Sequence, residues 1–217
     1  MARFVHSRTV GITHVMDIRT ATNISRISLF TALITVGSYV AVPVPWSPAP
    51  VVLANLFAVL AGMVLGAKAG AAAATLYLLL GAAGLPVFAA GTGGFAHLAG
   101  PTGGFLAGYI PAAGISGGLL RLMSKRTSFR SSASGAIAAT IGLMAVYVPG
   151  SVWMAIVLDL SPSAALATAV IPFLPGDIAK AVAAALVLPA IERSNAGTFN
   201  RWSTGTDCTP DAVEHDT

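Results

Sequence analysis

The chain consists of long apolar runs separated by short connections that are rich in glycine, proline and aromatic residues. The runs cover residues 25–42, 51–67, 69–84, 103–123, 133–158 and 176–191. Runs of this kind are typical of membrane-spanning helices, which need about 20 predominantly apolar residues each. The pattern predicts an all-α membrane protein, a bundle of six transmembrane helices. Pro149 and Gly150 predict an interruption of the fifth run.

Polar segments flank the bundle on both sides. Residues 1–24 lack the long apolar core of a signal peptide and are predicted to form a cytoplasmic N-terminal tail. Residues 25–193 form the predicted six-helix domain. Residues 194–217 are predicted to be a disordered cytoplasmic C-terminal tail. The composition agrees with this division, since 55% of the 217 residues are hydrophobic and only 9% are charged, against about 25% in soluble domains.

The positions of the charges decide what the net charge of +4 means. Lys68 is the only charged residue between Ile27 and Leu120, so no basic face can form and nucleic acid is excluded as a partner. With the N-terminus in the cytoplasm, all of the 12 lysines and arginines except Lys180 fall on the cytoplasmic side. We therefore expect a multi-pass protein of the cell membrane with both termini inside.

The three external connections are predicted at residues 43–50, 85–102 and 159–175. The second is too apolar for a solvated loop and too rich in glycine for a stable helix. Irregular backbone is tolerated near the membrane only where protein buries it or where it lines a cavity, so this loop is expected to fold back over a binding site. Residues 161–171, in the third connection, are expected to form a short interfacial helix.

Asp177 and Lys180 are the most informative pair in the chain. They stand three residues apart at the start of the last apolar run and so share one helix face. An ionisable residue inside a membrane helix costs about 2.5 to 3.5 kcal/mol, which makes it a candidate for function. A self-neutralising structural pair is the alternative.

The glycine clusters at residues 91–94 and 100–104 are not followed by the Lys-Ser or Lys-Thr of a P-loop, so no ATP site is predicted. The single cysteine, Cys208, allows neither a disulfide nor a thiolate metal cluster. His97 lies alone in its loop and is interpreted as a hydrogen-bonded spacer. We therefore expect no metal site and no cofactor in this chain.

Several aromatic residues cluster toward the predicted outer side. Phe88, Phe95 and Tyr109 lie beside the glycine-rich loop and are candidates for the wall of an apolar ligand pocket. The others are interpreted as anchors at the membrane interface, and they include Trp46, Tyr147, Trp153 and Phe173.

Three motifs occur in the order GLPVF, GPTGG and PGDxxK. Together with the surrounding residues 48–109 and 173–181, they resemble the BioY family, the biotin-specific S components of energy-coupling-factor (ECF) transporters. The resemblance extends over about 160 residues and leaves out both tails. It implies an S-component-like six-helix bundle that binds biotin from outside.

The resemblance also implies binding residues. The aspartate and lysine of PGDxxK contact biotin in that family, and here they match Asp177 and Lys180. A carboxylate can accept the ureido N–H groups, and an ammonium can donate to an oxygen. Thr92, with its neighbour Gly93, stands where some members have asparagine. Leu106 stands where some have arginine, and Ala54 where glutamine is common, which leaves Asn55 as the polar neighbour.

The resemblance implies partners as well. A transmembrane coupling subunit and a pair of cytoplasmic ATPases would supply the energy. Small residues at four-residue spacing on the first helix are thought to meet the coupling subunit, and here Ser28 and Ala32 fit that pattern.

Two other functions stay open at the level of sequence. The first is an S component for a different vitamin. The second is an intramembrane hydrolase in which Asp159 and Asp177 form an aspartyl dyad, although Asp159 is expected at the outer surface rather than within the bundle.

Overall fold

The computed structural model describes the backbone of residues 3–45, 47–124 and 132–203, and the side chains of residues 20–45, 47–123 and 133–189. Within these ranges the chain is helical apart from one small ribbon and several connections. The elements in chain order are α1 (Arg3–Tyr39), β1 (Ala41–Val42), β2 (Val51–Val52), α2 (Ala54–Leu65), α3 (Ala67–Ala82), a 3₁₀ turn (Ala89–Gly91), α4 (Phe95–Ala99), α5 (Gly103–Ser124), α6 (Ser132–Leu158), α7 (Pro162–Ala169) and α8 (Leu174–Ser203).

The helices α1, α2, α3, α5, α6 and α8 coincide with the six apolar runs. The short helix expected after the fifth run is α7. Its N-cap is Ser161, whose hydroxyl accepts a hydrogen bond from the backbone N–H of Ala164, and Pro162 occupies the first helical position, where its missing N–H costs nothing. The prediction of an all-α bundle is therefore confirmed.

The helices differ in their ability to cross a bilayer. Among the described residues, Gly103–Met123 and Ala133–Leu158 are long and apolar enough to span it. A third span results if α7 and Leu174–Pro189, which are bent by 50° relative to each other, count as one. Helix α2 has only 12 residues, about 18 Å at 1.5 Å per residue, against about 30 Å of hydrocarbon. It meets α3 at Gly66, whose φ of +88° favours glycine.

Both terminal helices extend into segments that the sequence assigned to tails. Helix α1 begins at Arg3, within the expected N-terminal tail, and α8 continues to Ser203, within the expected C-terminal tail. Neither extension contains a proline, the residue that most strongly stops a helix. Residues 204–217 of the expected disordered tail lie outside the described residues.

The predicted interruption of the fifth run is wrong, because α6 passes through Pro149 and Gly150 without a break. Glycines on α5 make room for this segment. A Cβ on Gly104 would lie 2.4 Å from the Pro149 carbonyl oxygen, and a Cβ on Gly108 would lie 3.1 Å from the proline ring. Helix α5 thus packs closely along the proline, and neighbouring helices of this kind allow proline inside membrane helices.

The centre of the bundle is a glycine contact between α2, α3 and α5. A Cβ on Gly62 would lie 2.0 Å from the carbonyl oxygen of Ala113. A Cβ on Gly117 would lie 2.2 Å from the carbonyl oxygen of Gly62. On the other side, a Cβ on Gly70 would lie 2.5 Å from Gly62 Cα. Small residues allow helices to touch backbone to backbone where lipid gives no hydrophobic driving force. We call this region the packed half of the bundle.

The opposite half carries the loop of residues 83–102, which is tied down at several points. The Ser38 hydroxyl of α1 donates to the Val87 carbonyl, and the Tyr39 hydroxyl donates to that of Pro86. From α6, Trp153 Nε1 donates to the Gly100 carbonyl at 2.9 Å. The antiparallel ribbon of β1 and β2 connects α1 with α2, with Ala41 opposite Val52. Side chains of two helices therefore fix the loop.

Candidate ligand-binding site

A cavity of about 170 Å³ opens between the helices in this second half, which we call the cavity half. Its wall combines side chains of α1, α2, α3, α5, α6 and α8 with residues from the connections. Ala89, Ala90, His97 and Thr102 contribute to it from the loop after α3. The expectation that this loop folds back over a cavity is confirmed.

Asp177 and Lys180 lie at the inner wall of the cavity and are almost completely buried, with 3% and 5% of their surface exposed. Lys180 Nζ donates to Asp177 Oδ1 at 2.8 Å. Asp177 belongs to the first turn of α8, where a carboxylate is stabilised by the positive end of the helix dipole. The two charges cancel each other, which reduces the cost of burying them together.

Two further side chains complete a polar group of four. Asn55, at the start of α2, accepts a hydrogen bond from Lys180 Nζ at 2.9 Å and donates to Asp177 Oδ1 at 3.3 Å. Tyr147 of α6 donates its hydroxyl hydrogen to Asp177 Oδ2. Three helices thus hold one carboxylate in a fixed orientation. We refer to Asn55, Tyr147, Asp177 and Lys180 as the polar quartet.

The polar quartet keeps hydrogen-bonding capacity for a ligand. The ammonium of Lys180 has three N–H donors and uses two of them on Asp177 and Asn55. The amide of Asn55 has a second N–H, and Asp177 Oδ2, which accepts only from Tyr147 among the described residues, has a second lone pair. The group can therefore donate to a carbonyl and accept from an N–H group at the same time, without breaking its own ion pair.

The remaining wall is mostly apolar and aromatic. Phe105, Leu106 and Tyr109 of α5 line one side. Tyr109 stacks on Tyr77 of α3, with ring centroids 6.2 Å apart. The Tyr77 hydroxyl is buried and makes no hydrogen bond among the described residues, although the Ser38 side chain lies near it. An unsatisfied donor in a cavity wall is available to a ligand.

Of the eight predicted binding residues, four line the cavity, namely Asn55, Tyr109, Asp177 and Lys180. The other four do not line it. Phe88 is fully buried behind the wall, with its ring edge-on to Tyr77. Gly93 passes so close to the chain that a Cβ would lie 2.2 Å from the Leu85 carbonyl oxygen.

Thr92 and Phe95 do not line the cavity. Thr92 is exposed, and its hydroxyl donates to the Ala89 carbonyl within the same loop at 2.9 Å. Phe95 begins α4 and exposes 73% of its surface. Ala90 of the 3₁₀ turn and His97 of α4 line the cavity instead, and neither element follows from the spacing of its residues.

Tyr147 and Phe173 line the cavity although the sequence assigned them to the membrane interface. Their rings lie 6.5 Å apart, and both are nearly buried. The sequence does contain one indication that Tyr147 is a site residue. It lies in the middle of an apolar run, where a phenol needs a hydrogen-bonding partner. That partner could not be named, because α6 and α8 meet only in the folded bundle.

The two small residues predicted to form a partner face, Ser28 and Ala32, are exposed on α1. They share that surface with Leu29 and Val36, which expose 58% and 62% of their surface. The opposite side of α1 faces the bundle through Ile34 and Ser38.

Comparison with known proteins identifies the family to which the chain belongs. The model of the BioY family matches residues 9–197. The chain belongs to the BioY family. It is 34% identical over 172 residues to the probable biotin transporter BioY of Pyrococcus horikoshii, covering 79% of this chain and 97% of that protein. It is 39% identical over 160 residues to the biotin transporter BioY of Thermotoga maritima, covering 73% and 89%.

A solved structure agrees with this membership. The fold is similar to the S-component for biotin from an ECF-type ABC transporter, with a TM-score of 0.74 and 25% identity over 81% of this chain and 93% of that one. The expected S-component-like fold is therefore confirmed, and so is the membrane-embedded character of the chain.

Proposed function

We propose that this chain is the biotin-binding membrane subunit of a biotin uptake system and that the polar quartet holds the ureido ring. Its membership of the BioY family and its relatives named as biotin transporters support this function. The observation that carries it is the buried ion pair of Asp177 and Lys180 at the end of an apolar cavity.

The chemistry of a cyclic urea complements the polar quartet. A ureido ring presents two N–H donors and one carbonyl acceptor. Asp177 Oδ2 accepts from one of the N–H groups, and the free donors of Lys180 and Asn55 bind the carbonyl. The thioether ring and the aliphatic chain of biotin then lie against Leu106, Tyr109 and their neighbours. Burial of this apolar surface stabilises the complex by about 25 cal/mol per Å².

The remaining predicted residues act indirectly in this proposal. Phe88 supports the wall from behind, and Gly93 lets the loop close against residue 85. Thr92 shapes the loop through its hydrogen bond to Ala89. Phe95 contributes no direct contact.

The first experiment is equilibrium binding of labelled biotin to the purified protein in detergent, with unlabelled biotin and thiamine as competitors. We expect saturable binding that biotin displaces and thiamine does not. Displacement by thiamine would favour an S component for another vitamin. A folded, monodisperse sample without saturable binding would contradict the proposal.

An intramembrane hydrolase is the weaker alternative. Asp159 is exposed just after α6 and does not line the cavity, whereas Asp177 is buried in it. A dyad needs two carboxylates that face each other. We therefore expect full biotin binding and uptake by Asp159→Asn.

We further propose a multi-pass topology in the cell membrane, with both termini in the cytoplasm. The one-sided distribution of lysine and arginine supports it. The single cysteine, Cys208, is a natural reporter for the C-terminus. A membrane-impermeant maleimide should label it only after the cells are permeabilised. As a control, Cys208→Ser combined with Ser161→Cys should be labelled in intact cells, since Ser161 is exposed in the third external connection.

The proposed partners are a transmembrane coupling subunit and two cytoplasmic ATPases. The exposed small residues Ser28 and Ala32 support a close contact of α1 with the coupling subunit. Ala32→Leu should lower biotin uptake in cells while biotin binding by the purified subunit stays unchanged. Thr140→Leu, on the exposed surface of α6, is the matched control and should affect neither. Equal uptake by both variants would place the contact elsewhere.

A further inference from the structure

The cavity has a second polar pair, formed by His97 and Thr102. The His97 Nε2 atom and the Thr102 Oγ1 atom are 3.4 Å apart, and both residues line the cavity. The loop after α3 supplies them, whereas α2, α6 and α8 supply the polar quartet. The cavity thus has two polar regions of different origin, and the rest of its lining is mostly apolar and aromatic.

The His97 ring is held in place by packing. It stacks on Phe88 with ring centroids 5.4 Å apart and an interplanar angle of 26°. Phe88 is itself fully buried and packs edge-on against Tyr77. Trp153 fixes the loop between His97 and Thr102 through its hydrogen bond to the Gly100 carbonyl. The imidazole therefore has a defined orientation although it lies in a loop.

The cavity offers no net charge to an anion. Among its described lining residues, the charged side chains are Asp177 and Lys180, which neutralise each other at 2.8 Å. Partial burial lowers the pKa of the His97 imidazole below its usual value of 6.5, so this ring is neutral at pH 7. A neutral imidazole and a hydroxyl have one donor each, and both are available to a ligand once the long contact between them, at 3.4 Å, is given up. They can receive an anionic group without disturbing the ion pair.

We propose that His97 and Thr102 bind the carboxylate end of the ligand and thereby determine its orientation and specificity. This inference rests on the proposed function, in which the polar quartet takes the ureido end. The ligand then lies with its uncharged ring at the self-neutralised ion pair and its carboxylate at the loop. A buried carboxylate without such donors would carry a large desolvation cost.

The test compares two ligands, biotin and biotin methyl ester, which share the ring and chain and differ in charge at one end. The variants are His97→Phe, which keeps a ring to stack on Phe88, and Thr102→Val, which keeps the branched shape. Each should weaken the binding of biotin about 10-fold, as expected for the loss of one hydrogen bond to a charged group. Binding of the methyl ester should change less than about 3-fold.

Binding of the ester also reports folding, because a misfolded variant would lose both ligands. Asp177→Asn is the control for the other end and should weaken biotin and its ester equally. An equal loss of both ligands in a folded, monodisperse His97→Phe, or no loss of biotin in either variant, would overturn the inference. If the unaltered protein binds neither ligand, the proposed function fails first, and the inference fails with it.

Discussion

The packed half and the cavity half of the bundle treat their buried polar groups in opposite ways. In the packed half, Gly62 and Gly117 remove side chains so that backbones touch. The buried hydroxyls there are satisfied by carbonyls, such as Ser116 on Val59 and Thr31 on Ala73. In the cavity half, the Tyr77 hydroxyl stays unsatisfied. Small residues thus pack the first half tightly, whereas the second half keeps polar groups free for a ligand.

The largest effect is expected from breaking the ion pair. Lys180→Met leaves the carboxylate of Asp177 buried without its counter-charge, which should destabilise the fold by about 3 to 5 kcal/mol. Biotin binding should be lost. Thermal unfolding in detergent and binding of labelled biotin measure the two effects separately.

The double variant Asp177→Asn with Lys180→Met is the control for this prediction. It removes both charges, so it should be more stable than Lys180→Met alone and still fail to bind biotin. A double variant that binds biotin normally would show that the pair is structural.

The next effect concerns the packed half. Gly62→Ala places a Cβ against the backbone of Ala113, which cannot give way like a side chain. We expect a loss of about 3 kcal/mol in stability, at the upper end for overpacking. Gly118→Ala is the matched control, since a Cβ there meets no atom within 4 Å. It should leave the midpoint of thermal unfolding equal or slightly higher.

A smaller effect is expected for Tyr147→Phe in the cavity half. The variant keeps the ring against Phe173 and removes only the hydrogen bond to Asp177. The loss of one such bond should weaken biotin binding about 10-fold. Tyr109→Phe is the comparison, because no hydrogen bond ties its hydroxyl to the polar quartet. Titration calorimetry should show a clear difference between the two variants.

The smallest effect is a pH dependence that comes from His97. Burial lowers the pKa of this imidazole from its usual value of 6.5, and a bound carboxylate raises it again. Protons and biotin then favour each other's binding, so the affinity should rise about 3-fold between pH 7.5 and pH 5.5. The side chains in contact with the ring, Phe88 and Thr102, do not titrate. If the affinity still rises at low pH in His97→Phe, another titrating group causes the rise.

The sequence predicted the helices better than the loops. Apolar runs located all six helices of the bundle, and the three-residue spacing of Asp177 and Lys180 placed both on one helix face. The loop of residues 83–102 was harder, because its path depends on contacts with distant helices, such as Trp153 with Gly100. For this reason Phe95 was predicted in the pocket although it is exposed.

Tyr147 shows the same limit within a helix. Its apolar surroundings are visible in the sequence, but its partner Asp177 is 30 residues away. Pro149 was predicted to break the helix by a local rule. The rule failed because glycines on α5 let that helix pack against the proline. Local patterns therefore predicted the elements, and contacts between elements decided which polar residues meet.

The cancellation of charge between Asp177 and Lys180 has an electrical consequence. Moving one elementary charge through the full membrane potential involves work of about 2.3 kcal/mol per 100 mV. The ion pair carries no net charge, so moving it along the membrane normal involves no net work against the voltage. A bound monoanion changes this, because its inward movement works against a potential that is negative inside. The electric field of the cell then opposes the inward movement of the loaded site.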